Sequence, residues 1–446
     1  MSEITSTKEL KRVLGRKELL SIAIGQTIGA GIFALLGIGI GMTGKSINIS
    51  MLIAAVFVML MTVPMLFVSG TIRMRGGMYT QLAFLVHETC SGFFAIIHII
   101  AWSALALYAI SFADYCFALV PSINKTLVSF IVLTVFYVTN LMGIEGAAKL
   151  QNLMMLIMAV ALTVFACWGM PELRPGYFSG PDFATNGIVG IFSAGALMTW
   201  AVGGANVVIH LGAEAKNPTK DIPVVMIVAT IIIALFYAAM ATVAAGVLPI
   251  SEVVGKPLTL VASQILPRPL YIFFVVGGAM LALTTTLNAA LGWVTKPILQ
   301  ACVDGWLPRK IGAINQRFKT PHIILTLLYL ESLLPIFFKF NMSSIANMAV
   351  VLNNVLFVFV CFSAIRLETV VPELWNKSKF HVSHNQLVFW SVIGGVATIA
   401  QNVLLVMDMP RHELIGNLIV TVFAVIYALW RKKTGKVNME ISYEAS

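Results

Sequence analysis

The chain has 446 residues, of which 59% are hydrophobic and only 11% are charged, and its formal net charge is +10. Soluble domains carry about 25% charged residues, so this composition excludes a soluble enzyme, a disordered protein and a nucleic-acid-binding domain. The apolar runs are long and continuous, which also excludes the alternating strands of a membrane β-barrel. A polytopic helical membrane protein remains.

Twelve apolar segments are predicted to cross the membrane, because a spanning helix needs about 20 apolar residues. In chain order they cover residues 19–42, 48–71, 92–120, 126–142, 150–170, 187–211, 222–248, 270–300, 321–338, 343–365, 386–407 and 412–430. The third and eighth segments are long and are expected to be tilted. The sequence therefore predicts an all-α integral membrane protein of about 12 transmembrane helices, with no inserted soluble domain.

Lys and Arg residues are distributed unevenly between the two sides of the predicted membrane. If the N-terminus is cytoplasmic, the inner segments hold about three times as many of them as the outer segments. Because this bias sets the orientation of most membrane proteins, both termini are predicted to be cytoplasmic. The same bias accounts for the positive charge without a nucleic-acid partner. The five Cys residues form no CxxC pair and are interpreted as small apolar side chains.

Two of the predicted spans are interrupted by glycine clusters near their middle, at residues 25–31 and 200–206. Glycine lets the chain leave helical geometry, and unwound backbone at membrane depth is tolerated only where it lines a cavity. One half-helix can then offer free N–H groups to a carboxylate, and its partner can offer carbonyls to a cation. Paired interruptions favour a transporter's binding site. The alternative is that the glycines are helix-packing contacts, since Gly25 and Gly29 have the small-xxx-small spacing.

Four short motifs occur in order along the chain. Residues 25–33 fit the pattern Gly-x-x-Ile-Gly-x-Gly-Ile-Phe, and Arg75-Gly-Gly-Met-Tyr79 contains a Gly-Gly-x-Tyr without the usual preceding Pro. Residues 214–223 begin Glu-Ala-Lys-Asn-Pro, and residues 304–308 read Asp-Gly-Trp-Leu-Pro, followed by Asn315, Arg317, Lys319, Thr320 and Pro321. Together they resemble the signatures of the amino acid–polyamine–organocation (APC) superfamily of transporters.

The resemblance implies a fold of five-plus-five inverted repeats of the leucine-transporter type. The first repeat would cover residues 19–170 and the second residues 187–365, followed by two peripheral helices at 386–430. Residues 1–18 and 431–446 would be cytoplasmic tails. It also implies alternating access around a site formed by spans one, three, six, eight and ten, and a small amino acid or amine as substrate.

By the same resemblance, the backbone N–H groups of Gly29, Ala30 and Gly31 are expected to hold the substrate carboxylate. The carbonyls from Ala201 to Gly204 are expected to meet its amino group. The residues expected at the substrate site are Gln26, Ile28, Gly29, Ala30, Gly31, Trp200, Ala201, Val202, Gly203, Gly204, Asn206 and Asn288. Trp200 and Trp293 are expected to gate it. Because these positions carry no carboxylate, neutral amino acids are expected to be favoured over arginine or lysine.

One position in span five bears on coupling. Some relatives carry a Lys there that stands in for a sodium ion, and the matching residue here is Met158. The local cation is therefore either sodium or absent. A sodium site would use Gly25, Ile28, Thr284 and Thr285, with Thr286 as a third hydroxyl; the alternative is that these hydroxyls bond carbonyls of their own helix. Exchange without sodium is the favoured interpretation.

We therefore expect a secondary active transporter that exchanges amino acids by alternating access. Three alternatives stay open: an amino acid/amine antiporter of the arginine/agmatine or polyamine type, a sodium-coupled symporter, and a membrane sensor that binds an amino acid without moving it. No GxSxG, HExxH or acid–base carboxylate pair indicates an enzyme.

The expected partners are a small amino acid or amine and membrane lipids, with no nucleic acid, no cofactor and no metal centre. The chain is expected to be a monomer or homodimer in a bacterial inner (plasma) membrane. His98 and Glu331 are polar residues inside predicted spans, and the sequence assigns neither of them a role.

Overall fold

The computed structural model describes residues 14–74, 76–142, 147–212, 215–318, 320–407, 409–439 and 443–445. The N-terminal tail before residue 14, and the motif residues Arg75, Glu214 and Lys319, lie outside the described residues. The first helices are α1 (Arg16–Thr27), α2 (Ala30–Thr43), α3 (Ile47–Ser69), α4 (Met78–Leu85), α5 (Glu88–Ala101), α6 (Leu105–Leu119), α7 (Lys125–Leu141), α8 (Ala147–Gly169) and α9 (Gly187–Val202).

The later helices complete the bundle. They are α10 (Pro218–Gly246), α11 (Ile250–Val253), α12 (Thr259–Ile265), α13 (Arg268–Phe273), α14 (Leu281–Trp293), α15 (Thr295–Val303), α16 (His322–Phe337), α17 (Met342–Ser363), α18 (Leu367–Val370), α19 (Pro372–Lys377), α20 (His384–Met407) and α21 (Arg411–Lys433). A π-helical turn, Phe274–Met280, joins α13 to α14, so the helical segment Arg268–Val303 is continuous.

Nine helical segments within the described ranges are long and apolar enough to cross a membrane. They are Gly31–Ser69, Glu88–Leu119, Met154–Glu172, Gly187–Leu211, Pro218–Gly246, Arg268–Val303, Met342–Val370, His384–Met407 and Arg411–Lys433. Two apolar helices, α7 and α16, are shorter, and the first segment contains parts of two predicted spans. The predicted all-α membrane class is confirmed, whereas the count of twelve stays a prediction.

Both glycine clusters coincide with real interruptions of helical structure. α1 ends at Thr27 and α2 begins at Ala30, with Gly29 between them at φ −161° and ψ −142°. α9 ends at Val202, and the chain continues as a 3-10 segment, Gly203–Leu211. The sequence predicted both positions, because glycine leaves α-helical backbone geometry at a lower free-energy cost than other residues do.

The two interruptions lie at the centre of the bundle, against each other. α3 packs against α9 and α10, and the 3-10 segment after α9 packs against α1 and α10. A Cβ added at Gly204 would lie 2.6 Å from the α-carbon of Thr27. The broken helices therefore share one close-packed interface that only small residues permit.

Both ends of the described chain lie at the same end of the bundle, called here the strand end. Strand β1 (Ile72–Met74) pairs antiparallel with strand β2 (Tyr443–Ala445), which is the last described segment. Leu14 forms a parallel bridge with Ala215, and Arg73 in β1 donates from Nη2 to the Ala215 carbonyl at 3.2 Å. The described chain thus begins and ends on the same side of its helices.

Polar contacts join separate segments at the strand end. Arg16 donates from Nε to Asp221 Oδ1 at 2.9 Å, and its Nη2 lies 2.9 Å from the same oxygen. Tyr79 donates to Asp304 Oδ2 at 2.7 Å. Burial and the neighbouring Asp304 carboxylate raise the pKa of Tyr79 well above its ordinary value, so this phenol stays protonated as a donor. These bonds tie the starts of α1 and α4 to the start of α10 and to the segment that follows α15.

Candidate functional site

A cavity of about 130 Å³ lies beside the two interruptions. Its lining combines residues from α1, α3, α4, α5, α6, α9, α14 and α17 with the 3-10 turn Trp102–Ala104 and the 3-10 segment after α9. The lining residues are Gln26, Val58, Met61, Met78, Phe94, His98, Trp102, Tyr108, Thr199, Trp200, Gly203, Gly204, Asn206, Val207, His210, Trp293, Val350, Asn353, Asn354, Leu356 and Phe357. None of the described residues that line it is Asp, Glu, Lys or Arg. Apart from its two histidines, the described lining is therefore polar only through groups that carry no charge.

Three tryptophans and a histidine form a contiguous aromatic wall in this cavity. Trp102 meets Trp293 edge to face, with centroids 4.7 Å apart, and meets Trp200 at 5.8 Å. His210 stacks on Trp293 at 5.3 Å with an interplanar angle of 17°. These separations and angles are those that aromatic pairs prefer. Helices distant in sequence thus place their rings around one space.

Several polar atoms of the cavity lining are buried without a hydrogen-bond partner among the described residues. They are Gln26 Oε1, Trp102 Nε1, Trp293 Nε1 and Asn354 Nδ2. A buried polar atom without a partner costs about 1–3 kcal/mol, so such atoms are few in folded proteins. Because these atoms belong to residues that line one cavity, they are candidates for hydrogen bonds to a ligand there.

Two further lining residues are oriented by contacts outside the cavity. Thr62 donates to Asn206 Oδ1 at 2.9 Å, and both residues are buried. This bond uses the acceptor of Asn206 and leaves its NH₂ group as the donor available to a ligand. His98 Nε2 lies 3.3 Å from the Val294 carbonyl. Because a carbonyl can only accept, Nε2 carries the proton and Nδ1 keeps its lone pair.

The glycines of the first interruption face protein. A Cβ at Gly31 would overlap the α-carbon of Ala201, and one at Gly29 would overlap the hydroxyl of Thr286. The α-carbons of both glycines therefore pack against neighbouring helices, as the helix-packing alternative expected. Gly29 is the N-cap of α2 and supplies no side-chain cap, so the N–H groups of the first turn of α2 have no acceptor within their own helix.

Thr286 connects α14 to the interruption in span one. Its hydroxyl donates to Ala282 O at 2.8 Å and lies 3.3 Å from Ile28 O and 3.5 Å from Gly25 O. Tyr237 on α10 donates to Thr27 O at 3.0 Å. The carbonyls at the end of α1 are thus met by hydroxyls from two other helices.

The other two threonines of the predicted sodium set behave differently. Thr284 donates to Leu281 O at 3.0 Å, and Thr285 donates to Ala282 O at 3.0 Å. Both therefore bond carbonyls of their own helix, as the alternative interpretation expected. Of the three threonines, Thr286 is the one that reaches the carbonyls of Gly25 and Ile28.

The structure brings six of the predicted site residues to the cavity: Gln26, Trp200, Gly203, Gly204, Asn206 and Trp293. Ile28, Ala201 and Val202 are buried nearby in the packed interruptions without lining it, and Ala30 begins α2. Asn288 lies elsewhere, at the contact of α14 with α7, where it accepts a 2.7 Å bond from Asn140 Nδ2. Met158 on α8 is fully buried.

Sequence reasoning missed His210 and Asn354, which both line the cavity. Both are polar residues inside apolar segments, and such residues are functional candidates by default. Asn353 and Asn354 form a pair in an otherwise apolar run, which was a usable signal. What the sequence did not reveal is the direction in which either side chain points.

Comparison with known proteins finds similarity to amino acid permeases and transporters. The family model described as amino acid permease matches residues 14–430. A branched-chain amino acid permease of Bacillus subtilis is 26% identical over 344 residues, covering 71% of this chain and 72% of that protein. A methylthioribose transporter of Bacillus subtilis is 23% identical over 349 residues, covering 72% and 74%. The vacuolar cationic amino acid transporter 2 of Arabidopsis thaliana is 24% identical over 396 residues, covering 82% and 61%.

Proposed function

The chain belongs to the amino acid permease family, and from this premise we propose that it exchanges neutral amino acids across a membrane by alternating access. The family and the named relatives are permeases and transporters rather than enzymes, and the long apolar helices make this an integral membrane protein. The observation that carries the proposal is the cavity beside two interrupted helices, with unpartnered polar atoms around it.

The proposed topology has twelve spans, arranged as two inverted repeats of five followed by two peripheral helices. Its support is that Leu14 and β2 lie at the same end of the bundle, which requires an even number of crossings. We propose that the strand end is the cytoplasmic end, because Lys and Arg are in excess there and cytoplasmic loops of membrane proteins carry such an excess. The membrane would be a bacterial inner membrane, and the protein a monomer or homodimer surrounded by lipid.

The proposed substrate pose uses the dipoles of both interruptions. The N–H groups of Gly29, Ala30 and Gly31 begin α2 and would hold the carboxylate, since helix N-termini bind anions. The carbonyls of Ala201 to Gly204, at the end of α9 and the start of the 3-10 segment that follows, would accept from the amino group. The substrate side chain would then occupy the cavity lined by Gln26, Asn206 and the three tryptophans, of which Trp200 and Trp293 gate it.

The preference for neutral substrates follows from the lining. Removing a cation from water costs several kcal/mol unless a counter-charge is present, and the described lining contains no carboxylate. A cation over a tryptophan face gains about 0.5–2 kcal/mol, which does not offset that cost. A neutral side chain incurs no such penalty.

A larger cavity of about 530 Å³ lies towards the end of the bundle opposite the strand end. Its position is consistent with a route between the site and solvent. Its lining includes Phe33, Tyr115 and Lys256. Phe33 and Tyr115 meet edge to face at 5.4 Å. We propose that movement of this pair, together with opening of the Arg16–Asp221 contact at the strand end, exposes the site alternately to the two sides.

Exchange is favoured over ion coupling by the apolar residue at Met158. No ammonium stands there to replace a cation, and a thioether cannot titrate. If the span-one carbonyls are held by Thr286 and Tyr237 alone, the closed conformation is stabilised without an ion. Return of the empty carrier would then be unfavourable, and substrate on the far side would drive each cycle.

Sodium-coupled symport is the second candidate, and one specific observation favours it. Thr286 Oγ1 and the carbonyl oxygens of Gly25, Ile28 and Ala282 are close together, and unwound backbone carbonyls are common sodium ligands in transporters. Of the three hydroxyls considered from the sequence, Thr286 belongs to this set, whereas Thr284 and Thr285 bond carbonyls of their own helix.

Counterflow in liposomes that contain the full chain tests these alternatives. We expect radiolabelled leucine or tyrosine inside to leave only when a neutral amino acid is outside, equally in sodium and in potassium. Net accumulation driven by a sodium gradient would move the conclusion to symport. Binding without any movement of label would mean a sensor.

A further inference from the structure

The side chains that face the cavity differ from those of a purely aliphatic pocket. Phe94, Trp102, Tyr108, Trp200, Trp293 and Phe357 bring aromatic rings to it from separate elements, beside the rings of His98 and His210. Flat rings stack on or meet the edges of other rings more favourably than alkyl groups of equal area do. The walls therefore suit a ligand that carries a ring.

The polar atoms of this cavity add a second requirement. Three donors have no partner among the described residues: Trp102 Nε1, Trp293 Nε1 and Asn354 Nδ2. One acceptor, Gln26 Oε1, has no partner there either. A leucine, valine or phenylalanine side chain has no polar atom with which to pair these groups. A site with such groups rejects an analogue that lacks the matching polar atom.

The two requirements point to one chemical class. A ring that carries a group able both to accept from an N–H and to donate to a carbonyl would satisfy donors and acceptor together. The phenol of tyrosine and the imidazole of neutral histidine have this property, whereas the phenyl ring does not. We propose that the cavity selects neutral amino acids whose side chain is a ring bearing a hydroxyl or ring nitrogen, with tyrosine and histidine as the best ligands. This inference rests on the proposed function, because it assigns the side-chain end of the same substrate.

A cationic ligand is the main competitor, since tryptophan faces also attract cations. The described lining has no carboxylate to accompany a guanidinium or ammonium group. The unpartnered atoms are mainly N–H donors, which a cation's own N–H groups cannot satisfy. A neutral ring with a hydrogen-bond acceptor can accept from these N–H groups and needs no counter-charge.

The test is a ligand series on the unmodified full chain in detergent, read by equilibrium binding and by the shift in melting temperature. The probes are tyrosine, histidine, phenylalanine, leucine, arginine and agmatine. We expect tyrosine and histidine to bind at least about tenfold more tightly than phenylalanine or leucine, the scale of one well-placed hydrogen bond. Phenylalanine as tight as tyrosine, or leucine tighter than both, would overturn the proposal while leaving amino acid transport intact. Tightest binding of arginine or agmatine would overturn it as well, together with the neutral preference. Binding by none of the six would count against the proposed function itself.

A variant identifies the atoms responsible. Trp293→Phe keeps a ring in the wall and removes one N–H donor, so the ratio of tyrosine to phenylalanine affinity should fall about tenfold. Trp390→Phe makes the same chemical change on α20, outside the cavity lining, and should leave the ratio unchanged. An equal fall in both affinities for Trp293→Phe would assign the tryptophan to packing and contradict its role as a donor. Trp102→Phe provides the same measurement if the first variant does not fold.

Discussion

Gly31 on one broken helix and Ala201 on the other are in contact through their backbones. A Cβ added at Gly31 would overlap the α-carbon of Ala201, so the two interruptions meet at a point where Gly31 has no room for a side chain. Any account of the glycine motif must include this contact as well as substrate binding. It also changes what a substitution at Gly31 can test.

The first prediction concerns that contact. Gly31→Ala should lower the melting temperature and reduce substrate affinity, because overpacking a tight interface typically costs about 1–3 kcal/mol. Gly292→Ala on α14 is the matched control, since nothing lies within 4 Å of its added Cβ. A Gly31 variant with wild-type stability but no binding would instead support a role limited to the substrate carboxylate.

The second prediction concerns Thr286. Thr286→Val removes the hydroxyl that reaches the Ile28 and Gly25 carbonyls, and should lower stability by about 0.5–1.5 kcal/mol and slow exchange. Thr284→Val is the control, because that hydroxyl bonds the Leu281 carbonyl of its own helix. Thermal melts and counterflow rates, each in sodium and in potassium, provide the measurement. If melting depends on sodium in the parent and not in Thr286→Val, the sodium site is the better description.

The third prediction changes the charge of the cavity. Asn206→Asp replaces a lining amide with a carboxylate while Thr62 can still donate to it. The variant should gain affinity for arginine or lysine relative to leucine by about tenfold or more, because the cation then has a counter-charge. Leucine binding by the same variant is the internal control for folding. No change in the arginine-to-leucine ratio would mean that the substrate side chain does not approach Asn206.

The fourth prediction concerns Gly305, where the loop after α15 meets the segment after α21. Gly305 has φ +85°, and a Cβ there would overlap the carbonyl oxygen of Lys436. Gly305→Ala should therefore lower the melting temperature more than Gly435→Ala does. Gly435 also has positive φ, +67°, but nothing lies within 4 Å of its added Cβ, so that variant carries only the backbone strain of about 1–2 kcal/mol. Equal losses would mean that the Lys436 contact contributes nothing to stability.

The interruptions were predictable from sequence because they depend on local chemistry. Hydrophobic runs fix the helices, and the glycines near Gly29 and Gly203 fix where helical geometry ends. The alternative that intramembrane threonines bond their own helix, left open beside the sodium site, describes Thr284 and Thr285. Family membership was also accessible, since the four motifs and their order along the chain indicate it without any knowledge of how the helices pack.

The direction of each side chain was not accessible, and the reason is physical. In a membrane helix the lipid-facing and protein-facing sides are both apolar, so hydrophobic periodicity does not mark the buried face. Thr284, Thr285 and Thr286 are consecutive and alike in sequence, yet of the three it is Thr286 that meets span one. Asn288 was expected at the substrate and bonds Asn140 instead, whereas His210 was not considered and lines the cavity.

The sequence by itself determined that this is a helical membrane protein of the permease type with two glycine-interrupted helices, since composition and local backbone preference carry that information. Only the tertiary structure decided that Gly31 packs on Ala201, that Thr286 is the hydroxyl at the Ile28 carbonyl, and that Trp102 and Trp293 share one cavity. These are contacts between residues far apart in the chain. Their geometry follows from how whole helices rotate and pack against each other, which no local pattern of residues encodes.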